Sequence, residues 1–400
     1  MKTPKRKIGL YLIILFIGMN TILYAQKKMI VLKSGLEKIQ IKDGKNYTMD
    51  WRLEPKAKPD VYYVNVPFKK GIVRFKTDRD QYTVKTEPGK SYDFIVLLNE
   101  KDSCHIRIAS ISPPGLPEIE SVTYFPVKIP FRLVGSRIFF DCKLNGKEVV
   151  AQLDLGAGTG AVNKNSIQKL GLEFTSQQLV SNTDGTNYEQ TSLHHILNIG
   201  ALTIKDVALT TVGNMEPFED LIIGNNFFRN HIIEINYDNL EFTVYQTLPE
   251  KVKNYSRSPV FFEQNRPKFK ARVVHNHRKY DFWFLFDTGR DGTMLIGEDF
   301  TSLDGRWDRL QPLTIINGRK IIRLNAVIAG TEFRDIVTNA ADPSKPNGRS
   351  SLFGNQILNH FNCILDNRNG MLYLQPNGKI AEPFFNFRSY QEEMIKKNKK

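Results

Sequence analysis

The chain has 400 residues, 41% hydrophobic and 24% charged, with 56 Lys and Arg against 42 Asp and Glu and a formal net charge of +14. This is ordinary globular composition with apolar material for more than one core, and the length predicts two or three domains. The cations are scattered, apart from the tail MIKKNKK, and no nucleic-acid motif accompanies them, so the charge reads as a solvated surface and no nucleic-acid partner is expected.

Lys2, Lys5, Arg6 and Lys7 precede the apolar run IGLYLIILFIGMNTILYA, the pattern of an export signal over residues 1–25, cleaved after Ala25. The run approaches the length of a membrane span. Gly18 and Asn20 interrupt it and a small residue ends it, so a cleaved leader, no stable membrane insertion and a periplasmic or extracellular location are expected. Residues 26–118 carry strand-like runs such as VYYVNVPF, IVRFKT, QYTVKT and YDFIVLLN separated by turn residues, which predicts a β-sandwich-like accessory domain. ISPPGLPEIE, residues 111–120, reads as its linker. Cys104, Cys142 and Cys363 are too few for a disulfide framework and lack metal-ligand spacing. Cys104 and Cys142 could pair, or all could remain buried thiols.

The remainder contains an internal repeat. In the first copy, residues 119–250, RIFFDCKL and a turn at Asn145 and Gly146 lead into KEVVAQLD, then LGAGTG, and later LIIGNNFFRNHIIEINYDNLEFTVY. In the second, residues 251–383, PKFKARVV and a turn near His275 to Arg278 lead into KYDFWFLFD, then TGRDGT, and later SLFGNQILNHFNCILDNRNGMLYLQP. Residues 384–400 form a basic tail. Each copy is a hairpin that feeds an alternating strand into Asp-X-Gly, followed at nearly the same interval by an apolar-apolar-Gly step. One Asp-X-Gly is a common turn; two in equivalent places, each with the same downstream partner, point to a paired-carboxylate site at Asp154 and Asp287. No GxSxG motif, HExxH motif or Cys-His pairing offers a rival chemistry.

DLGAGTG with LIIGNNFF, and DTGRDGT with SLFGNQIL, resemble the aspartic proteases of retropepsin and pepsin type, in particular exported bacterial proteins with two retropepsin-like lobes in one chain. The resemblance covers residues 121 to 377. It implies a mainly β fold in which two homologous lobes form one cleft, a peptide or protein substrate and no cofactor or metal. Asp154 and Asp287 would share a proton and activate a water for attack on a peptide carbonyl. Gly156, Ala157, Thr288 and Gly289 would shape the active loops, and Gly224 and Gly354 would let a second loop cross beneath each Asp. SNTDGTNYEQ would be a flap, with Asp184 and Gly185 at its tip and Tyr188 as a substrate contact.

Two residues depart from the family pattern. Leu155 stands where a Thr or Ser hydroxyl normally ties the two loops together, as Thr288 can. Arg290 stands where the family has a small residue, such as Ala157; it would either face the dyad or turn outward to Asp291 or Glu298. These departures leave a second expectation open, a non-catalytic protease-like protein that binds peptides or a partner in the cell envelope.

Overall fold

In the computed structural model, residues 29–120, 124–182, 185–346 and 348–384 are described. The export signal at residues 1–25, Asp184 and all of the basic tail beyond residue 384 lie outside them. No helix among the described residues is long and apolar enough to cross a membrane.

The chain is mainly β. Its N-terminal part forms two four-stranded sheets, one ordering Val31–Ser34, Ser91–Leu98, Asp102–Ala109 and Asp60–Tyr63, the other Tyr47–Arg52, Lys38–Asp43, Gly71–Lys76 and Gln81–Thr86. Burial alternates along Lys38–Asp43 and Ser91–Leu98 as a half-buried strand requires. The inward residues Ile41, Val73, Phe75, Phe94, Val96 and Ile106 form one core, with the Phe75 and Phe94 rings edge to face at 5.0 Å. Cys104 lies in this core and Cys142 and Cys363 in the other; all three are buried free thiols. The proline-rich segment is not a bare tether, because Glu118–Ile119 pairs with Leu202–Val212 and adds an edge to the next sheet.

From there two lobes repeat one element order. Arg137–Leu144 turns at Asn145 and Gly146, both at positive φ, into Lys147–Asp154, and Arg266–His275 turns at Asn276 and His277 into Arg278–Asp287. Each Asp-bearing strand then pairs in parallel with a short apolar strand, so that Asp154 stands level with Gly224 and Asp287 with Gly354. The lobes are not separate bodies. Ile232–Asn236 pairs antiparallel with Phe361–Asp366, Ile233 opposite Leu365, which joins them through a shared base sheet. A single core runs through both, from Ile119 to Leu374.

The sandwich docks on this base. The Asn65 side chain donates to the Phe262 carbonyl at 2.7 Å and accepts its N–H at 2.9 Å, while Arg229, buried over the Phe262 ring at 3.7 Å, donates to the Asn65 carbonyl at 3.0 Å.

Candidate active site

Asp154 and Asp287 are the last residues of equivalent strands, and the approach of the lobes brings their carboxyl groups into hydrogen-bonding contact. Gly156 and Gly289 make that approach possible. A Cβ on Gly289 would fall 2.1 Å from Asp154 Cγ, and one on Gly156 would fall 2.6 Å from Asp287 Oδ1. Neither glycine has the left-handed backbone that a side chain resists, so what the motif demands here is room for the opposing carboxylate. Gly156 N–H donates to Asp154 Oδ1 at 2.7 Å, and the N–H groups of Gly289 and Arg290 both donate to Asp287 Oδ1 at 3.1 Å.

The loop that crosses below each Asp also needs glycine. A Cβ on Gly224 would meet the Ala157 carbonyl at 2.7 Å, and one on Gly354 the Gly292 carbonyl at 2.3 Å. Ala157 N–H closes the first loop onto the Asp154 carbonyl at 3.0 Å, and Ala157 C=O accepts the Asn225 N–H at 3.2 Å.

The two carboxyl groups have different surroundings. Burial, and then the charge of Asp287, push Asp154 well above the ordinary carboxyl range. Burial also raises Asp287, but the Arg290 guanidinium opposes this, followed by the hydrogen bond from Asp154. Both carboxyl groups are pushed upward by burial, so the pair holds on to a proton as a unit, with Arg290 opposing the push at Asp287. Arg290 makes no ion pair with Asp291 or Glu298 among the described residues, and its side chain lies over Gly292, with Nε 3.3 Å from where a Cβ would stand. Asp291 is instead held by the Ser136 hydroxyl at 2.7 Å, and Glu298 accepts the Gly348 N–H at 2.8 Å.

Leu155 removes less than its identity suggests. Its side chain is fully buried in the core, while its N–H donates to Thr288 Oγ at 2.9 Å and that hydroxyl donates to the Leu153 carbonyl at 2.9 Å. One threonine therefore bonds the opposite loop twice. Gln152, which the sequence did not single out, adds a third tie by donating to the Gly289 carbonyl at 2.9 Å.

A further set of ties follows the pseudo-twofold repeat. Asn225 and Asn355, each directly after its crossing glycine and each fully buried, reach the opposite lobe's first hairpin. Asn225 Nδ2 donates to the Asn265 carbonyl at 2.7 Å, and Asn355 Nδ2 donates to the Ser136 carbonyl. Each hairpin in turn grips the other lobe's active loop, Asn265 donating to the Gly158 carbonyl at 3.1 Å and Ser136 to Asp291. The repeated Gly-Asn in IIGNN and LFGNQ was the available signal for this clamp.

Gly185 opens the strand Gly185–Ile199, paired with Ser176–Asn182, so the predicted flap is a hairpin. Tyr188 stands on it opposite Leu179, and both are exposed. Lobe 2 carries a matching hairpin, Thr314–Ile316 with Arg319–Ile328, with Ile315 and Ile316 exposed. Its Asn317-Gly318 turn, both at positive φ, is the sequence signal for this hairpin.

Residues 140–230, spanning Asp154 and Gly224, match the family model described as "gag-polyprotein putative aspartyl protease". Among solved structures the chain is similar to the aspartic proteinase from Irpex lacteus at 10% identity and a TM-score of 0.43, covering 65% of this chain and 100% of that one. No curated protein sequence matches.

Proposed function

We propose that the protein is an aspartic endopeptidase in which Asp154 and Asp287 activate a water for attack on a peptide carbonyl. The observation that carries this reading is the pair of hydrogen-bonded carboxyl groups, each at the end of an equivalent strand and each above a glycine crossing. Ionised Asp287 takes the proton from the water as it attacks, and Asp154 donates its own to the carbonyl oxygen. As the C–N bond breaks, Asp287 passes the proton it took to the leaving amine and Asp154 recovers its own from the diol hydroxyl, so the pair ends as it began. The proposed setting is periplasmic or extracellular, on the strength of the leader over residues 1–25.

A second reading, a peptide-binding protein without turnover, draws support from Arg290, because a guanidinium beside Asp287 favours ionisation of both carboxyls and works against proton sharing. Hydrolysis of a denatured protein by the processed chain, followed from pH ~3 to ~8 with Asp287→Asn as the blank, separates the two. Cleavage above the blank, strongest in acid, supports the peptidase; peptide binding with no cleavage at any pH supports the second reading.

A further inference from the structure

The charged side chain nearest the dyad has nothing to bind. Arg290 is half-buried, and neither a hydrogen bond nor an ion pair engages its guanidinium among the described residues; its Nε is fully buried without a partner. Other inward arginines also leave one buried nitrogen unbonded, but each has an ion pair, a carbonyl or an aromatic ring for the rest of its guanidinium. Arg137 pairs with Glu219 at 2.8 Å, Arg229 bonds the carbonyls of Asn65 and Asn367 and covers Phe262, and Arg306 lies over Phe300 at 4.3 Å. Asp287 does not supply the missing bonds, because its Oδ1 takes the backbone N–H groups of Gly289 and Arg290 and its carboxyl meets that of Asp154.

The local backbone fixes where this cation lies. The Arg290 N–H is tied to Asp287 Oδ1 at 3.1 Å and its carbonyl to the Asn355 N–H at 2.9 Å, so the residue sits at the edge of the carboxyl pair. Its side chain folds over Gly292, where a Cβ would come within 3.3 Å of Nε; the glycine leaves it that space. A half-buried guanidinium whose remaining donors are unbonded is a receptor for a carboxylate, which it engages by charge-assisted and often bidentate hydrogen bonds. The equivalent residue of the other lobe is Ala157, so the receptor exists on one side of the dyad only.

Resting on the peptidase reading, we infer that Arg290 is a specificity residue that selects peptides with an Asp or Glu side chain near the scissile bond, on the lobe 2 side alone. The ionised dyad repels such a residue, and Arg290 converts the repulsion into recognition. Without the guanidinium, the same acidic peptide becomes a worse substrate than its amide counterpart.

The test is kcat/KM for peptide pairs that differ only as Asp against Asn, or Glu against Gln, scanned through positions on both sides of the scissile bond at pH ~5.5, where free acidic side chains are ionised. The expected result is one favoured position, on one side, where the acid is preferred about 10- to 100-fold, the scale of a charge-assisted hydrogen bond. Arg290→Ala should abolish or reverse that preference, Arg290→Lys should keep part of it, and Arg290→Glu should favour Lys there. An active enzyme that treats each pair equally, or that keeps its acid preference in Arg290→Ala, overturns the inference and leaves the peptidase reading intact. If no peptide is cleaved, the peptidase reading fails and the same pairs are compared by binding: acid-selective binding lost in Arg290→Ala supports the role of Arg290, whereas equal binding or none overturns it.

Discussion

Replacing Asn355 by alanine removes one arm of the clamp between the lobes without touching either of the paired carboxyl groups. The Asn355 amide is fully buried; it donates to the Ser136 carbonyl of the other lobe and accepts the hydroxyl of Tyr237, itself buried. The substitution leaves two buried polar groups without partners, at about 1 to 3 kcal/mol each. Ser136 keeps its two bonds to Asp291, which holds the hairpin in place and puts the expected loss near the lower half of that sum, about 3 kcal/mol. Urea unfolding measures the loss as a fall in midpoint at constant slope. Because the clamp sets how the lobes meet, kcat should fall more than KM rises. Asn225→Ala, which breaks the matching arm, should behave alike, and the two losses should add to less than their sum if the arms act as one device. A stability change within about 0.5 kcal/mol of zero, or a normal loss of stability with kcat untouched, would refute the clamp as a positioning device.

Leu155→Thr should destabilise by about 1 to 3 kcal/mol, since it trims a fully buried side chain and places a hydroxyl in an apolar core; a thermal midpoint equal to or above the parent's would mean the added hydroxyl finds a partner across the lobes. Arg290 opposes the upward push that burial gives Asp287, so Arg290→Ala should raise the pH at which the dyad gives up its last proton and move the alkaline limb of the kcat profile to higher pH. An unmoved limb would place the guanidinium out of electrostatic reach of the reaction. Gly289→Ala should abolish activity, because its Cβ would occupy the position of the Asp154 carboxyl; retained activity with a correctly folded chain would show that the carboxyl groups work in a different arrangement.

The sequence carried the site's frame well because that frame rests on local rules. Asn145-Gly146 marks a hairpin by its backbone preference, and the strand it launches ends on Asp154 in both sequence and structure. The crossing glycines were legible because each recurs after two apolar residues in both copies. What sequence could not give was pairing at a distance. Ile232–Asn236 and Phe361–Asp366 are ordinary apolar strands, and nothing in either specifies that they lie side by side and fuse the lobes into one base. Leu155 was visible as a departure, but its effect depends on a backbone N–H meeting Thr288, which no side-chain pattern encodes. That Asp291 does not pair with Arg290 turned on Ser136 taking Asp291 from the other lobe, a contact between segments far apart in the chain.

Asp154 and Asp287 are proposed to hold, together, the water that cleaves the peptide. Hydrolysis in 18O-labelled water, with the products weighed by mass spectrometry, tests it most directly. One labelled oxygen is expected in each new C-terminal carboxyl group, and no cleavage by either Asp154→Asn or Asp287→Asn, both of which should fold normally because the amide is nearly isosteric. Undiminished cleavage by either variant would contradict it.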